Sequence, residues 1–414
     1  MTKATHIVGL DLGTSQVTVV VGQIGPTGSL EILGLGQAPA RGLRKGVVVN
    51  PDAAVEPIRR AVEDAERISG LDIESVYVSM SGTLLRGSNH RGVIAIAGRD
   101  RRITAADIQR VIDAACLVTL PGGHEIVDMQ PQEYLIDGQD GITDPLGMLG
   151  SRLEALVHLI TGPATIRQNV VTAVNKAGLY VAGVVSEPIA AAEAVLTADE
   201  REYGSVAINI GSETTSLAVY KRGAVQHTAI FPLGGAHFTS DIAIGVRTPI
   251  PEAERIKREF GCVLSNISAG HAGATIPVPS FNQRPSRSLS VEVLCDILQA
   301  RAEEILHGVR DELRRFGWER ELGSGVVFTG GGALLAGLPE LAEQIFDYPA
   351  RMGLPLNVSS MTEEIYSPMR ATAIGLLHIA ARGGALHNQT AWPADAPMVA
   401  RAASAVKHWF THWF

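Results

Sequence analysis

Two short turns that combine glycine with hydroxyl side chains are candidate phosphate-binding loops. Such turns expose several backbone N–H groups at one point, and Ser and Thr hydroxyls add further donors for an anion. Asp11 stands at the mouth of the first turn, where a carboxylate can hold a water molecule bound to Mg²⁺. An ordinary tight turn is the alternative for either loop taken alone. The candidate residues are Gly13, Thr14 and Ser15 in the first turn and Asn209, Gly211, Ser212, Glu213 and Thr214 in the second.

Three further segments could contribute to the same phosphate-ligand site. A buried strand ends in Gly330, Gly331 and Gly332, on whose backbone a flat purine ring or ribose can lie. A second glycine pair, Gly234 and Gly235, follows an apolar run. The helix PEAERIKREFG places Glu254 and Lys257 three residues apart on one face, although a surface ion pair explains that spacing equally well.

The candidate loops require β-hairpins to position them. Residues 7–21 and residues 206–220 each consist of two β-branched runs around a glycine turn, which predicts a hairpin in each place. The two segments also align with one another, with Asp11 matching Asn209. A repeat of this length predicts two related halves that open with the same hairpin, so that two phosphate loops face each other across a cleft.

Composition restricts the remaining possibilities. The 414 residues carry a formal net charge of −8, which gives no basic field for nucleic acid. Three cysteines at wide spacing (Cys116, Cys262 and Cys295) exclude a disulfide framework and fit a reducing cytoplasm. The first residues do not resemble a signal peptide, and no apolar run reaches the 18 residues or so expected of a membrane span.

The order of hairpin, hairpin and triple glycine resembles the actin and sugar-kinase superfamily of ATP-binding proteins. Within it, the chain most closely resembles the FtsA family of bacterial cell-division proteins, almost from end to end. The segments that carry the resemblance are GLDLGTSQV, QPQEYLIDGQDGITDPLGMLGSRLEALVHLIT, AVLTADEREYG, TSDIAIGVRTPIPEAERIK and MRATAIGLLH. The resemblance implies an α/β, actin-like fold of two lobes, built from duplicated RNase-H-like domains, with ATP and Mg²⁺ between them.

The family pattern also implies a division into subdomains, including an insert that actin does not have. Read by itself, the insert is a small α+β unit with a strand near 92–97, a helix capped by Thr104 with Asp107 in its first turn, and strands near 125–129 and 153–160. The expected boundaries are 1–83, 164–192 and 359–382 for subdomain 1A, 84–163 for the insert 1C, 193–226 and 309–358 for 2A, and 227–308 for 2B.

The second phosphate loop departs from the family pattern, which usually reads Asp-Ile-Gly-Gly-Gly-Thr with another Asp two residues later. Here Asn209 and Ser216 replace the two acids, which weakens the hold on a Mg²⁺ shell, and Glu213 adds a carboxylate near the γ-phosphate. Glu187 stands where the superfamily can place a water-orienting carboxylate. We therefore expect ATP to act mainly as a structural ligand, with slow or absent hydrolysis. The alternative is that Asn209 only lowers the affinity for ATP.

A candidate partner surface lies in the second half of the chain. The segment FNQRPSRSL is predicted to be an exposed basic loop with Arg284 and Arg287, leading into a helix over Val291–Arg310 that carries Arg301 and Glu304. The resemblance implies that this face receives the C-terminal peptide of FtsZ, the tubulin-like ring protein. A solvated polar helix face is the alternative.

The end of the chain is predicted to be a flexible linker, residues 383–400, followed by an amphipathic helix, residues 401–414. Five apolar side chains recur at helical spacing in this tail, as in helices that lie in the membrane interface, whereas docking on the protein's own core is the alternative. The five are Val406, Trp409, Phe410, Trp413 and Phe414.

Together these features predict a protein that forms protofilaments on the inner face of the cytoplasmic membrane and tethers FtsZ at the division septum, where it helps recruit later division proteins. Two rivals remain on the same fold. PilM, the actin-like protein of type IV pili, lacks an aromatic C-terminal anchor. A small-molecule kinase needs a carboxylate base beside an acceptor pocket, and the weakened second loop argues against it.

Overall fold

The computed structural model describes residues 6–25, 29–98, 100–264, 274–279 and 287–382. The strands in these ranges are β1 His6–Leu12, β2 Gln16–Ile24, β3 Leu30–Pro39, β4 Leu43–Arg44, β5 Val47–Val48, β6 Ser75–Met80, β7 Arg86–Ala95, β8 His124–Ile136, β9 Gln139–Ile142, β10 Arg152–Pro163, β11 Tyr180–Ser186, β12 Ser205–Ile210, β13 Thr215–Lys221, β14 Ala224–Phe231, β15 Thr275–Val278, β16 Arg287–Ser290, β17 Val326–Thr329, β18 Ala350–Met352 and β19 Val358–Ser360.

The α-helices in the same ranges are α1 Pro51–Ser69, α2 Ala105–Ala115, α3 Ala164–Lys176, α4 Glu187–Val195, α5 Ala198–Tyr203, α6 Gly235–Gly245, α7 Ile250–Phe260, α8 Val291–Arg315, α9 Leu338–Phe346 and α10 Ala371–Ala381. Short 3₁₀ helices occupy Gly331–Leu334, Glu363–Tyr366 and Pro368–Arg370.

The sheets of the two lobes share a five-strand topology, and the first lobe adds β19 in parallel beside β3. In the first lobe the strand order is β11-β6-β1-β2-β3-β19, and in the second it is β14-β13-β12-β17-β18. In both, the first three strands in chain order form antiparallel pairs. A fourth strand then pairs in parallel with the first, and a fifth pairs in parallel with the fourth. The predicted duplication and the α/β, actin-like architecture are therefore confirmed at the level of strand order.

The insert forms a separate four-stranded antiparallel sheet in the order β7-β10-β8-β9, with α2 packed on β7 and β10. Thr104 caps α2 as predicted, since its side chain accepts from the Asp107 N–H and the Asp107 carboxylate accepts from the Thr104 N–H. A capping residue of this type contributes about 1 kcal/mol to helix stability. The first strand of the insert begins at Arg86 rather than near Gly92, and the short strand β9 was not predicted.

Two helices join the lobes along their common side. Helix α4 packs on the second-lobe strands β12 and β13, α10 packs on the first-lobe strands β1 and β2, and the two helices pack on each other. A Cβ atom at Gly375 would lie 1.7 Å from the Ala190 carbonyl oxygen, so the helix backbones are in direct contact. An apolar cluster that includes Val20, Val195 and Val327 therefore extends from one lobe into the other.

Several predicted boundaries fall inside continuous elements. The limit between residues 192 and 193 lies within α4, the limit between 308 and 309 within α8, and the limit between 358 and 359 within β19. The predicted helix over Val291–Arg310 continues to Arg315. The triple glycine does not lead directly into an α-helix, because a 3₁₀ turn over Gly331–Leu334 precedes α9.

Candidate functional site

The cleft between the lobes has a volume of about 820 Å³ and brings together most of the residues that the sequence nominated. This volume is within the range typical of small-molecule sites. Two nominated residues, Gly234 and Glu213, do not line it. The nominated residues that do line it are Asp11, Gly13, Thr14, Ser15, Glu187, Asn209, Gly211, Ser212, Thr214, Gly235, Glu254, Lys257, Gly330, Gly331 and Gly332.

In the first lobe, Asp11 lies at the end of β1 and is held by β6. Its Oδ1 accepts from the Ser79 hydroxyl at 2.7 Å, while the Ser79 oxygen accepts from the Leu12 N–H at 3.1 Å. Burial raises the pKa of Asp11 to about 6, although the hydrogen bond from Ser79 and the charge of Arg370 oppose that rise. A divalent cation would therefore be favoured beside this carboxylate, because it would offset the cost of burying the charge.

In the second lobe, Asn209 takes the place of Asp11 but faces Glu187. The Asn209 amide and the Ser216 hydroxyl both donate to Oε1 of Glu187, the latter at 3.0 Å. Oε2 of Glu187 accepts from the first-lobe Ser81 hydroxyl at 3.4 Å. Burial raises the pKa of Glu187 to about 7, the three donors lower it, and the nearby charge of Asp11 raises it further. Glu187 thus joins the lobes at the base of the cleft.

The turn between β4 and β5 lies across the tips of both phosphate loops. The Gly46 N–H donates to the Thr14 hydroxyl at 3.1 Å, and the Lys45 N–H donates to Oε2 of Glu213 at 2.6 Å. We expected the Glu213 carboxylate near a γ-phosphate, but the structure directs it to the backbone of the opposite lobe. Because Lys45 adopts a positive φ of 48°, its N–H is presented by a tightly constrained turn.

The three glycines differ in what surrounds them. A Cβ at Gly330 would lie 2.1 Å from Oδ1 of Asn209, and one at Gly332 would lie 2.3 Å from Cγ2 of Ile210. At Gly331 the nearest atom is Cγ of Met369 at 3.7 Å. The outer glycines are therefore required for packing against the second loop, whereas a Cβ at Gly331 would make only an ordinary van der Waals contact with Met369.

The cleft wall formed by α6 and α7 carries one connected polar cluster. Lys257 Nζ donates to the Thr239 hydroxyl at 2.9 Å and to the Gly235 carbonyl at 3.1 Å, and lies 2.7 Å from Oε2 of Glu254. Burial alone would raise the pKa of Glu254, but hydrogen bonds from Lys257 and Thr239 hold it below its ordinary value. This pair is therefore part of the cleft rather than a solvated surface ion pair.

Gly234 supports the second loop from behind. A Cβ at this position would lie 2.7 Å from the Gly211 carbonyl oxygen, and the following N–H of Gly235 donates to that same oxygen at 2.8 Å. Sequence reasoning missed Ser79 and Ser81, which bind Asp11 and Glu187. Their signal was available, because polar residues at the carboxyl end of a buried parallel strand often border a ligand site.

The structure describes three of the four residues that the sequence nominates for the partner surface. Arg301 binds Asp241 of α6 through two nitrogens, at 2.6 and 2.9 Å, and also pairs with Glu304. Its charge is therefore compensated within the protein, while the Glu304 side chain is 54% exposed. Arg287 donates to the Val246 and Arg247 carbonyls.

The other nominated residues of the partner surface and the tail lie outside the described residues. These are Arg284, the linker 383–400 and the helix 401–414 with Val406, Trp409, Phe410, Trp413 and Phe414. Among the helices that the structure describes, none is both long and apolar enough to span a bilayer.

Comparison with known proteins resolves the family. The model described as "Cell division protein FtsA" matches residues 206–375, and the model described as "SHS2 domain inserted in FTSA" matches residues 82–161. The cell division protein FtsA of Pseudomonas aeruginosa is 43% identical over 371 residues, which cover 90% of this chain and 88% of that protein. The chain belongs to the FtsA family.

Other relatives and solved structures agree with this membership. FtsA of Neisseria meningitidis is 41% identical over 378 residues, covering 91% of this chain and 90% of its own. The PilM–PilN type IV pilus biogenesis complex has a TM-score of 0.65 at 18% identity, covering 92% and 99% of the two chains. MreB5 of Spiroplasma citri bound to ADP has a TM-score of 0.54 at 16% identity, covering 90% and 95%. At these identities the two structures show the actin-like fold alone, so the FtsA matches identify an actin-like cell-division protein.

Proposed function

We propose that this protein binds ATP and Mg²⁺ between its lobes, polymerises on the inner face of the cytoplasmic membrane, and tethers FtsZ at the division septum. The observation that carries the proposal is the convergence of both phosphate loops and the triple glycine on one cleft, in a chain of the FtsA family. Once at the septum, the protein would help to recruit later division proteins.

The residues of the cleft suit a magnesium nucleotide. Gly13, Thr14 and Ser212 offer N–H and hydroxyl donors for the phosphates from two sides. Gly331 lines the cleft without a side chain, so a flat ring or ribose could approach its backbone. Asp11 would hold Mg²⁺ through a water molecule, and the cation would neutralise phosphate charge near the two buried carboxylates.

The same residues favour a nucleotide that is retained rather than rapidly hydrolysed. A water-positioning base needs a free oxygen toward the cleft, yet Oε1 of Glu187 already accepts from Asn209 and Ser216, and Oε2 accepts from Ser81. Asn209 and Ser216 also supply no negative charge for a Mg²⁺ shell. ATP would then act mainly by holding the lobes together, with weak or no turnover.

Three further contacts complete the proposal. The insert would meet neighbouring subunits in a protofilament and other division proteins. The lobe that carries α8 and Glu304 would receive the FtsZ C-terminal peptide. The aromatic tail would lie in the membrane interface, where four buried rings at about 100 Å² each would contribute roughly 10 kcal/mol before the cost of ordering the helix. Avidity in a polymer would make this attachment firm.

A liposome flotation assay with labelled FtsZ and ATP tests the proposed function. The intact protein should carry FtsZ to the lipid fraction. A chain ending at residue 400 and the variant Trp409→Glu should both leave FtsZ behind, because a charge in the apolar stripe prevents insertion. Thr411→Glu adds the same charge on the polar side and is the matched control, so it should still float. Undiminished flotation of the shortened chain would contradict the membrane assignment.

ATP dependence is tested in the same assay through Gly331→Val, whose side chain would enter the cleft without meeting the packed atoms that surround Gly330 and Gly332. This variant should lose binding of a fluorescent ATP analogue and lose ATP-dependent polymers on the liposomes, while its melting temperature stays close to that of the intact protein. Normal analogue binding by Gly331→Val would move the nucleotide to another site.

A further inference from the structure

Strand β8 of the insert carries two irregularities, and each faces a different lobe. Along its pairing with β10, Ile160 pairs with Asp128 and Thr161 with Ile126, which leaves Val127 as an extra residue. Leu156 pairs with Glu133 and Val157 with Pro131, which leaves Gln132 as a second extra residue. Bulges of this kind redirect side chains out of the regular alternation of a strand.

The first bulge docks the insert onto the first lobe. Val127 is fully buried within the apolar cluster of that lobe. Asp128, only 3% exposed, accepts from the Ser186 N–H at 2.9 Å through Oδ2. Its Oδ1 accepts from its neighbours, the Met129 N–H at 2.7 Å and the Gln130 amide at 3.0 Å. A buried carboxylate with this many donors is fixed in position.

The second bulge docks the insert onto the second lobe. Nε2 of Gln132 donates to the Val225 carbonyl of β14 at 2.8 Å and to Oε1 of Gln226 at 3.1 Å. Beside it, buried His158 on β10 contacts the Thr228 hydroxyl of β14 at 2.9 Å and Oδ1 of Asn89 on β7 at 2.6 Å. A single strand of the insert therefore reaches both lobes.

The residue that Asp128 binds is the one that precedes Glu187. Ser186 is the last residue of β11 and the N-terminal cap of α4, and its hydroxyl has no hydrogen-bond partner in the structure. The hydrogen bond from the Ser186 N–H to Asp128 therefore ties the insert to the start of α4, one residue before the Glu187 carboxylate that joins Asn209, Ser216 and Ser81 across the cleft.

We propose that Asp128 is a positioning residue for the nucleotide cleft, which couples the docking of the insert to nucleotide binding. Loss of its carboxylate would make the first turn of α4 more mobile. The entropy lost when that turn becomes ordered would then lower the affinity for nucleotide. By reciprocity, a bound nucleotide would tighten the docking of the insert, and with it the orientation of the surface that the insert presents to other molecules. The inference rests on the proposed nucleotide site.

The test compares Asp128→Asn with Asp140→Asn, the same chemical change at an exposed position of the insert. The single amide oxygen of Asn cannot accept both from the Ser186 N–H and from the neighbouring donors that the two carboxylate oxygens serve, and its NH2 group would face donors on the other side. Hydrogen exchange over residues 184–192, measured without nucleotide, should be faster in Asp128→Asn only. The affinity for a fluorescent ATP analogue should fall by roughly 5- to 10-fold in Asp128→Asn and stay unchanged in the control. Saturating analogue should slow exchange in β8 of the intact protein and of the control, but not of Asp128→Asn.

The outcomes separate the coupling from the site itself. A folded Asp128→Asn protein with unchanged affinity, or with normal exchange over 184–192, overturns the proposal. If the intact protein binds no analogue, the proposed nucleotide site fails, and the exchange comparison still decides whether Asp128 orders the start of α4. If Asp128→Asn does not fold, Gln132→Ala replaces it, with exposed Gln139→Ala as control; loss of the analogue-dependent protection of β8 is expected, and its full retention overturns the proposal.

Discussion

The two phosphate loops have the same backbone and different chemistry. Asp11 pairs with Thr18 across the first hairpin, and Asn209 pairs with Ser216 across the second, so the residues correspond one to one. In both loops a Cβ on the glycine would press on the carbonyl three residues later. The first loop nevertheless keeps a carboxylate on its strand, whereas the second holds an amide there and a carboxylate at its tip.

This difference shows that the two copies of a duplicated hairpin can have different roles. The Asp11 loop retains the charge needed to interact with a cation. The Asn209 loop instead uses its polar groups to hold the lobes together, through Glu187 at the base of the cleft and through Glu213 and Lys45 at its mouth. Sequence and backbone therefore agree on two matching hairpins of an actin-like fold, while the side chains of the second loop contact groups of both lobes.

The largest effect on nucleotide affinity is expected at Asp11, the charged residue of the corresponding pair Asp11 and Asn209. Asp11→Asn should lower the Mg²⁺-dependent affinity for an ATP analogue by about 10- to 100-fold, as is typical when a group that orders the shell of a metal is removed. Asn209→Ala removes one neutral donor and should cost roughly 3- to 10-fold, with little dependence on Mg²⁺. Titrations with and without Mg²⁺ measure both. Equal losses in the two variants would mean that the loops share the cation evenly.

An intermediate effect concerns pH and the buried carboxylate that Asn209 holds. The pKa of Glu187 rises from its ordinary value of 4.5 to about 7 on folding, so the folded protein retains a proton that the unfolded chain has released between these values. The free energy of unfolding should therefore fall as pH rises through this window, by an amount on the order of 3 kcal/mol, and stay low above it.

Glu187→Gln should remove that part of the pH dependence, because the amide oxygen can still accept from Asn209 and Ser216 without ionising. Denaturation of the nucleotide-free protein between pH 5 and 8 is the measurement. Asp11, with its pKa raised to about 6, should leave a remaining slope of the same sign below pH 6. An identical slope in Glu187→Gln and the intact protein would show that Glu187 is ionised throughout.

The smallest expected effect sharpens the comparison at the mouth of the cleft. Glu213→Gln keeps the shape of the side chain but weakens its hydrogen bond with the Lys45 N–H, since a charged acceptor is stronger than a neutral one. Nucleotide should then associate roughly 2- to 5-fold faster, as a weaker contact opens more often and a negative charge is removed. Stopped-flow binding tests this, with Glu340→Gln at an exposed position of α9 as control. A slower association would show that the contact assists entry.

Local patterns in the sequence accounted for much of the fold. Both hairpins, the Thr104 cap and the triple glycine depend on neighbours within a few residues, and the structure contains all of them. The internal repeat then predicted two lobes with a shared cleft. These features follow from spacing and residue type, which a single sequence displays.

The contacts between elements far apart in the chain were not predictable in the same way. Glu213 was expected beside a phosphate and Arg301 on the face that receives a partner peptide. Their partners in the structure are Lys45 and Asp241, 168 and 60 residues away in the chain. The donors that hold Glu187 come from three different strands or loops. Such pairings depend on how separate elements pack, and no local spacing encodes them.

The direct contact between Gly375 of α10 and the Ala190 carbonyl of α4 offers a route to a conditional allele. A methyl group at position 375 would force the helices apart, while alanine also favours helix by about 1 kcal/mol over glycine. The two effects partly offset each other, so the Gly375→Ala variant should fold at low temperature and unfold at higher temperature. In a cell that depends on this chain for division, growth at the higher temperature would then continue without septation, producing filaments that divide again on cooling.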